Sequence, residues 1–510
     1  MYARITSLGT YGLDGYPVTV EADTSNGLPA FDIVGLPDAA VSESRDRVRA
    51  AIKNNSFSYP VSRITVNLAP ADKKKTGPLY DLPIMLAVLC ASGQLEHSGW
   101  AENSAFVGEL SLDGVLRPVN GILSMALAAK EAGIKNLFVP LGNAREAAVA
   151  AGINVYGAST AAQIISHITG KEAVAATAPL PFDAESAVSL IDFSDVKGQV
   201  AVRRALEVAA AGGHNILMIG PAGAGKSMIA KRIPTILPPL TYNEAIETTR
   251  IYSVAGAFNT AASLITERPF RAPHHTVSAV ALTGGGSLPR PGEISLAHNG
   301  VLFLDELPEF PRAAMETLRQ PIEDNIVTVS RAAGSLTYPC TVMLVAAMNP
   351  CPCGNYGNPA KTCSCAPHAV ERYLSRISGP LLDRIDLHVE VAAVDYDSIS
   401  TPTRSESSSD IRNRIVAARE TQHKRFGKSG VTCNAKLPPS MMKEVCKTTD
   451  KGEATLKRAF ENLGLSARAY DKVLKVSRTI ADLAGSEVID SCHIAEAVQY
   501  RALDKKYWQR

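Results

Sequence analysis

A short apolar strand runs directly into a glycine-rich loop at residues 215–227, which read Asn-Ile-Leu-Met-Ile-Gly-Pro-Ala-Gly-Ala-Gly-Lys-Ser. The end of this stretch is a complete G-x-x-x-x-G-K-S pattern, which is typical of a phosphate-binding loop. Phosphates carry dense negative charge, and glycines let many backbone N–H groups approach them without interfering side chains. The spacing therefore predicts a strand, a phosphate loop and a helix that begins near Lys226, within an α/β domain.

The loop residues predicted to bind ATP are Gly220, Pro221, Ala222, Gly223, Ala224, Gly225, Lys226 and Ser227. The Lys226 ammonium is expected to reach the β- and γ-phosphates, and the Ser227 hydroxyl to ligate Mg²⁺. We therefore predict ATP and Mg²⁺ as cofactors.

Two further apolar runs of strand length end in polar side chains. The first ends at Asp305 and Glu306, and the second ends at Asn349. Asp305 is expected to help hold Mg²⁺, and Glu306 to orient and activate the attacking water. Asn349 is expected to hold that water or the γ-phosphate, and the alternative is a turn-forming asparagine before a proline.

Two arginines are candidates for stabilising the transition state of hydrolysis. Arg384 follows the second of these strands, and Arg468 begins a helix in the last hundred residues. Phosphoryl transfer spreads negative charge over the γ-oxygens, so that an arginine there accelerates the reaction by about 10³–10⁵. For each arginine the alternative is an ordinary surface ion pair.

Four of the nine cysteines fall within a short segment as two Cys-x-Cys pairs, namely Cys351, Cys353, Cys363 and Cys365. Four thiolates suit tetrahedral Zn²⁺, although the spacing within each pair is tighter than the usual C-x₂₋₄-C. We predict a structural zinc site, with His368 as a substitute ligand. The alternative is a loop without metal, or one that is sensitive to oxidation.

Composition divides the chain into three blocks joined by two linkers. The blocks are residues 1–171, 186–396 and 410–510; the linkers are the Ala/Pro-rich 172–185 and the Ser/Thr-rich 397–409. The first block mixes strand-like and helix-like segments, the second carries the ATP motifs, and the third is helical by its apolar period. The predicted class is α/β: a nucleotide-binding core with a parallel sheet, an N-terminal α+β domain and a C-terminal helical domain.

The charges of the whole chain nearly balance at +2, but residues 411–510 hold 20 Lys and Arg against 11 Asp and Glu. This excess is a candidate polyanion-binding surface, and a solvated helix face is the alternative. The longest apolar run is ten residues, Leu82–Ala91, whereas a membrane helix needs about 20. No signal-like segment opens the sequence, so we expect a cytoplasmic protein with no membrane partner.

The stretch between the ATP motifs carries a family resemblance. Residues 268–275 read Arg-Pro-Phe-Arg-Ala-Pro-His-His, and residues 291–300 read Pro-Gly-Glu-Ile-Ser-Leu-Ala-His-Asn-Gly. Together with residues 465–471 and 478–482, they resemble the magnesium-chelatase-like AAA+ ATPases and, closely, the ComM/YifB family. The resemblance spans essentially the whole chain. It implies a hexameric ring in which Arg384 acts as a finger on a neighbouring subunit's ATP and Arg468 is the lid sensor.

Members of that family are described as DNA helicases that drive branch migration during natural transformation, so the resemblance implies an ATP-driven motor on single-stranded, forked or branched DNA. Candidate pore segments are residues 276–286 and 330–337. Aromatic residues are only 6% of the chain, which favours salt-sensitive contact with phosphates over base stacking. Two other interpretations stay open: a magnesium-chelatase-type remodelling subunit, and a protein-remodelling chaperone or protease regulator.

The N-terminal block has its own resemblance, because residues 106–121 and 128–135 are similar to the Lon protease domain. The positions that match the Lon nucleophile and base hold Leu79 and Leu123. A serine hydrolase needs both groups, so we predict no peptidase activity. A ring-forming or DNA-guiding role is expected instead, with Lys73–Lys75 as a candidate phosphate contact or a solvated loop.

Overall fold

The computed structural model describes residues 1–183, 191–259, 261–286, 289–331, 334–356, 361–393 and 405–508. They form two compact units: Met1–Asp183 with Tyr242–Ile265, and Ala184–Thr241 with Thr266–Arg510. Residues 242–265 thus belong to the first unit, although the division by composition places them in the middle block. Of the two expected linkers, residues 184–185 and 397–404 lie outside the described residues.

The first unit is built on a seven-stranded mixed sheet with the strand order β3-β4-β2-β1-β5-β8-β9. The seven strands are β1 (Tyr2–Tyr11), β2 (Asp14–Ser25), β3 (Ala30–Val34), β4 (Arg63–Ala69), β5 (Ser104–Phe106), β8 (Asn136–Pro140) and β9 (Asn154–Ala158); β6 (Glu109–Leu110) and β7 (Leu116–Arg117) pair with each other in a separate two-stranded sheet. Its helices are Ala39–Ser42, Ser44–Asn54, Asp81–Ala91, Ile122–Glu131, Ala144–Ala147, Ala161–Ile168 and Tyr242–Ala255. Two 3₁₀ turns, Pro78–Tyr80 and Leu141–Asn143, complete it.

The longest apolar run of the sequence forms a buried helix of this unit. Every residue of the helix Asp81–Ala91 is buried, and it contacts both β1 and β2. A helix that is apolar all round is expected in the middle of a core. In the described parts of the chain, no helix combines the length and apolar character that a membrane crossing requires.

A buried carboxyl joins the inserted helix Tyr242–Ala255 to the rest of the first unit. The Glu146 side chain accepts hydrogen bonds from the backbone N–H of Leu123, at 3.0 Å, and from the hydroxyl of Ser253. The Ser253 oxygen in turn accepts the backbone N–H of Gly121 at 2.9 Å. Burial raises the pKa of Glu146 to about 7, although these hydrogen bonds lower it.

We therefore expect the first unit to lose stability as the pH rises between about 4.5 and 7. Folding raises the pKa of Glu146 from 4.5 to about 7, so the contribution of this carboxyl to the free energy of unfolding is complete below pH 4.5. That contribution is lost progressively as the pH rises to about 7, and the loss amounts to about 3 kcal/mol. Glu146→Gln, which stays neutral, should lack this part of the pH dependence. Urea unfolding at pH 5 and pH 8, followed by Trp100 fluorescence in a Trp508→Phe background, measures it. An equal pH dependence in both proteins would contradict the assignment.

The second unit contains a five-stranded sheet with the order β11-β14-β17-β10-β18, in which every pairing is parallel. The strands of this unit are β10 (Ile216–Ile219), β11 (Phe270–Arg271), β12 (Gly284–Gly285), β13 (Arg290–Pro291), β14 (Val301–Leu304), β15 (Ile326–Arg331), β16 (Gly334–Pro339), β17 (Met343–Met348) and β18 (Leu387–Glu390). The residues of β10, β14 and β17 are buried throughout, as expected of parallel strands covered on both faces. The parallel sheet confirms the predicted α/β class.

Helices surround this sheet and make up the C-terminal part of the chain. They are Val200–Gly212, Lys226–Ile236, Ala279–Thr283, Glu293–Leu296, Arg312–Thr317, Arg319–Asp324, Pro367–Leu374, Gly379–Leu382, Ser408–Phe426, Pro439–Val445, Asp450–Leu463, Ala467–Leu483, Ser491–Gln499 and Ala502–Tyr507. The 3₁₀ turns of this unit are Phe193–Asp195, Leu307–Glu309 and Asn434–Lys436.

The helical period of the C-terminal block is confirmed, but one of its two apolar faces is only partly buried. Val473, Leu474 and Ile480 of the helix Ala467–Leu483 are buried. On the helix Asp450–Leu463, Leu456 is buried while Phe460 is 40% exposed. Phe460 instead meets the ring of Tyr470 edge-on, with the ring centroids 6.1 Å apart.

The two candidate pore segments are more regular than loops. Residues 276–286 include the helix Ala279–Thr283. Residues 330–337 belong to the antiparallel hairpin of β15 and β16, except for 332–333, which lie outside the described residues. Tyr338, the aromatic residue beside the second segment, is fully buried, and its hydroxyl donates to the Pro289 carbonyl at 2.8 Å. Its ring is therefore not exposed for stacking on a base.

Candidate active site

The phosphate loop has the conformation that its glycines predict. Gly223 and Gly225 have φ angles of +79° and +86°, in the left-handed region that favours glycine. A Cβ atom on Gly220 would lie 2.3 Å from the Val391 carbonyl oxygen, so this position has no space for a side chain. The helix Lys226–Ile236 begins directly after the loop, and its first backbone N–H groups point towards the loop opening.

A cavity of about 320 Å³ lies in front of this loop. It is lined by Ala222, Gly223, Ala224, Gly225, Lys226, Ser227, Met228, Asp305, Glu306, Met348 and Asn349. Gly220 and Pro221 sit at the base of the loop, where their carbonyls accept the Lys226 ammonium at 2.7 and 2.8 Å. Burial lowers the pKa of Lys226, and the nearby Asp305 and Glu306 carboxylates raise it.

The parallel sheet brings Asp305, Glu306 and Asn349 to one edge, beside the loop. The Asn349 Oδ1 atom accepts the Lys226 ammonium at 3.0 Å, and the Ser227 hydroxyl donates to the Asp305 carboxylate. The Ser227 hydroxyl oxygen and an Asp305 carboxylate oxygen are suited to hold Mg²⁺. When bound, this metal would polarise the phosphate oxygens. The arrangement can therefore hold a nucleoside triphosphate with its metal.

Glu306 stands directly after the strand in an unusual backbone conformation. Its φ angle is +53°, its backbone N–H donates to Asp305 Oδ1 at 3.0 Å, and its side chain is 55% exposed. A non-glycine residue in the left-handed region is a strained feature found often at functional sites. Here the strain directs the Glu306 carboxylate into the cavity, apart from the carboxylate of Asp305.

His275, for which the sequence predicted no role, contacts the Glu306 carboxylate. Its Nδ1 atom lies 3.5 Å from Glu306 Oε2, and its ring packs on that of His274 with centroids 4.0 Å apart. The signal that could have identified His275 is topological: it follows β11, which pairs with β14, so that His275 and Glu306 leave neighbouring parallel strands at the same edge.

Arg384 lies outside the cavity and is held within its own chain. Its guanidinium donates to the Arg319 carbonyl at 2.9 Å and to the Pro380 carbonyl at 2.7 Å, and it pairs with Glu323. It is not among the described residues that line the cavity of the same chain. Its side chain is 17% exposed.

The segment that follows Arg384 is anchored by a buried charge pair. Asp386 lies 3.0 Å from the Lys472 ammonium and 3.4 Å from the ring of His214. Burial raises the pKa of Asp386, but Lys472 and His214 outweigh it and hold that pKa well below its usual range. The side chain of Asn215 also donates to the Arg384 carbonyl at 2.9 Å. The backbone at Arg384 is therefore fixed by charged and polar contacts.

Arg468 is not brought to the cavity in this chain. It lies in the first turn of the helix Ala467–Leu483, which the Ser466 side chain caps. Its side chain is 73% exposed, and its guanidinium is 3.9 Å from the Asp383 carboxylate. An exposed pair at this distance contributes little to stability.

The four cysteines of the two Cys-x-Cys pairs converge, and their ligand atoms all lie within 4.8 Å of one another. Three Sγ–Sγ distances, Cys351–Cys353, Cys351–Cys363 and Cys353–Cys363, are 3.4, 3.7 and 3.6 Å. A disulfide would place two sulfurs about 2.05 Å apart, whereas four thiolates about 2.3 Å from a zinc ion are about 3.8 Å from each other. The sulfur positions therefore fit a tetrahedral zinc site. His368 is not part of the group.

Backbone amides donate to sulfurs of this cluster, but only the pKa of Cys353 is lowered; burial raises the pKa of Cys351 to about 11, and the pKa values of Cys363 and Cys365 are raised as well. The Tyr356 N–H donates to Cys351 Sγ at 3.3 Å. Hydrogen bonds from the backbone of Asn355 and Ser364 lower the pKa of Cys353 to about 5. Zinc binds thiolates rather than thiols, so the lowered pKa suits the metal at the Cys353 sulfur alone.

Comparisons with known proteins agree with this geometry. Family models for magnesium chelatase match three parts of the chain: "Magnesium chelatase, subunit ChlI" at residues 192–399, "Subunit ChlI of Mg-chelatase" at 20–143, and "Magnesium chelatase, subunit ChlI C-terminal" at 405–501. The competence protein ComM of Haemophilus influenzae is 45% identical over 511 residues, which cover 98% of this chain and 97% of that protein. The YifB protein of Escherichia coli is 45% identical, covering 97% and 96%. The chain belongs to the ComM/YifB family.

Membership of the ComM/YifB family places the chain among the magnesium-chelatase-like AAA+ proteins, which implies ATPase activity. The N-terminal region of this ComM/YifB protein is Lon-like: a Lon protease of Mycolicibacterium smegmatis is 24% identical over 144 residues, 27% of this chain and 18% of that protein. At the positions that match the Lon nucleophile and base, the side chains of Leu79 and Leu123 are buried.

Proposed function

We propose that this ComM/YifB protein is a cytoplasmic, ATP-driven DNA motor that works as a hexameric ring and promotes branch migration in recombination or natural transformation. Its cofactors are ATP and Mg²⁺, held by the phosphate loop with Ser227 and Asp305, while Glu306 activates the attacking water and Asn349 contacts the γ-phosphate. The four-cysteine cluster is a structural zinc site.

One observation supports the proposed ring: no arginine is among the described residues that line the cavity of a single chain. The cavity of a single chain holds a phosphate loop, two carboxylates and Asn349, but neither Arg384 nor Arg468 is among the described residues that line it. Without an arginine, hydrolysis lacks the group that best stabilises charge on the γ-oxygens. A neighbouring copy that brings its Arg384 to the open cavity completes the site, and head-to-tail contacts of this kind close into rings.

Only some of the basic side chains in the C-terminal part of the chain are exposed and so able to contact DNA. Several of its basic side chains are buried and partnered inside the fold, as Lys472 is with Asp386 and Arg478 with Asp482. Others are exposed, among them Lys457 and Arg458 on the helix Asp450–Leu463. Such lysines and arginines bind phosphates without reading sequence, and their affinity falls steeply with salt.

A four-way-junction assay tests the motor directly. We expect the protein with ATP to convert a synthetic junction into duplex products, and Lys226→Ala to abolish both this conversion and ATP hydrolysis, because the phosphate-binding ammonium is lost. Lys231→Ala is the matched control, since this exposed lysine lies on the same helix outside the cavity. Conversion that continues in Lys226→Ala would contradict the proposal.

Two competing functions remain to be tested against the motor. A chelatase-type or chaperone-type remodeller would hydrolyse ATP faster with a porphyrin-binding partner or with unfolded protein. We expect forked or single-stranded DNA to stimulate hydrolysis and these two additions to have no effect. Stimulation by either protein but not by DNA would overturn the motor assignment.

A further inference from the structure

The cysteine cluster follows the γ-phosphate-contacting residue of the site directly along the chain. Asn349 is the first residue after β17, and Cys351 stands two positions later. Cys351 is fully buried. The other pair, Cys363 and Cys365, leads into the helix Pro367–Leu374. A metal bound by all four sulfurs therefore ties the end of β17 to the start of that helix.

The same helix contacts Asn349 at a second point. Burial raises the pKa of Tyr373, in the last turn of this helix, and the backbone of Asn349 lies near enough to its hydroxyl to lower that pKa in part; Tyr373 is only 6% exposed. The end of β17 therefore approaches the helix Pro367–Leu374 at two points, through the cysteines and through Tyr373. Asn349 lies between these points, and its Oδ1 atom accepts a hydrogen bond from the Lys226 ammonium at 3.0 Å.

The cysteine segment also lies against the phosphate loop. Gly354, with φ at +78°, donates its N–H to the Cys351 carbonyl at 3.0 Å in a tight turn. A Cβ atom on Gly354 would lie 3.5 Å from the backbone nitrogen of Ala222. The cysteine segment is therefore in contact range of both the phosphate loop and Asn349.

Apolar packing cannot hold this segment in place. Residues 351–365 contain no Val, Ile, Leu, Met, Phe or Trp, so hydrophobic burial within the segment is small. Segments of this composition are ordered by crosslinks instead, and a bound metal supplies four at once. Without the metal, the turn at Gly354 loses its crosslink to the helix Pro367–Leu374, and Asn349 is left with the end of β17 and its bond to Lys226.

Resting on the ATPase function proposed above, we propose that zinc bound by Cys351, Cys353, Cys363 and Cys365 positions Asn349 against the phosphate loop, so that metal occupancy sets the rate of ATP hydrolysis but not the affinity for ATP. Affinity is set by the loop backbone and Lys226, and the Lys226 ammonium is held by the Gly220 and Pro221 carbonyls as well as by Asn349. Asn349 is in this sense positioned by the metal, and Tyr373 is a second positioning residue.

The experiment compares the full-length protein with a Cys353→Ser, Cys365→Ser double variant. Reduced wild-type protein should contain about one zinc per chain, and the variant much less, by elemental analysis. We expect the variant to bind ATP with an unchanged Kd and to lose about 10- to 100-fold in kcat, the usual effect of removing a group that orients a site. Cys492→Ser, an exposed cysteine outside the cluster, should leave zinc content, Kd and kcat unchanged.

Two further measurements keep the test decisive if the double variant does not fold. Tyr373→Phe should keep its zinc and its Kd for ATP but lower kcat, because it removes one contact to Asn349 and none to the metal. Stripping zinc from the wild-type protein with a chelator should lower kcat at constant Kd, and added Zn²⁺ should restore it.

Wild-type protein with far less than one zinc per chain, or a zinc-free protein with full kcat, would overturn the inference. These outcomes are distinguishable from failure of the DNA motor, since zinc content and unstimulated hydrolysis are measured without DNA. A protein with one zinc and zinc-dependent hydrolysis that DNA fails to stimulate would support this inference and contradict the motor.

Discussion

Replacing Arg384 with alanine is expected to lower ATP hydrolysis by about 10³-fold or more, a loss of about 4 kcal/mol of transition-state stabilisation. ATP binding should persist, because Arg384 does not line the cavity of its own chain. The measurements are steady-state hydrolysis and the Kd for a fluorescent ATP analogue. The fold should survive, since the buried anchor of this segment is Asp386 with Lys472, which the substitution leaves in place.

Mixing subunits separates action on a neighbour from action within one chain. Lys226→Ala retains Arg384 but cannot hold ATP, whereas Arg384→Ala holds ATP but lacks the finger. In rings that mix the two at random, about a quarter of the sites combine an intact loop with an intact neighbouring arginine. We therefore expect partial recovery of hydrolysis on mixing two inactive proteins. No recovery would contradict action on a neighbouring subunit.

The Glu323 contact makes a second variant informative. In the single chain, the Arg384 guanidinium pairs with Glu323, so the proposed action on a neighbouring subunit requires Arg384 to exchange this partner for a phosphate. Glu323→Gln should therefore leave hydrolysis intact or raise it. A loss as large as that of Arg384→Ala would show that the pair itself, rather than the free guanidinium, is required.

The second large effect is expected from Glu306→Gln. The amide has nearly the shape of the carboxylate but cannot accept the proton of the attacking water, and loss of a general base typically costs about 10²–10⁴-fold. ATP binding should be retained, because Lys226 and the loop are unchanged, and stimulation by DNA should disappear together with hydrolysis. Single-turnover hydrolysis measured alongside the ATP Kd provides the evidence.

Glu309→Gln is the matched control for this substitution. Glu309 lies in the same short turn, pairs with Arg376 at 2.7 Å and is not among the residues that line the cavity. Its amide should change hydrolysis by less than about 3-fold, as expected for one partner of an exposed ion pair. If Glu309→Gln and Glu306→Gln lost activity equally, the base would be misassigned.

Much of the candidate site could be predicted from local patterns. A run of apolar residues that ends in a glycine-rich loop or a polar side chain marks a buried parallel strand; β10 runs into the phosphate loop, and β14 and β17 are followed by Asp305 and Asn349. Because such strands point the same way, the loop, Asp305 and Asn349 had to meet at one edge. The pairing of the cysteines in sequence likewise indicated their convergence.

Other features depend on contacts between distant parts of the chain, which no local period encodes. The contact of His275 with Glu306 and that of Tyr373 with Asn349 needed the strand order and the helix position. The partner of Arg384 is 61 residues away in sequence. Burial of Tyr338 likewise required knowing what packs on the β15–β16 hairpin.

The amino-acid sequence by itself determined the nucleotide-binding core. Glycines, a lysine and carboxylates at these spacings along the chain bind nucleotide phosphates and their metal once parallel strands bring them together. The tertiary structure alone decided that the helix Tyr242–Ala255 joins the first unit through Ser253 and Glu146. The physical reason is that short-range patterns report how a segment folds, whereas the partner of a buried face is set by which complementary surface the whole chain brings to it.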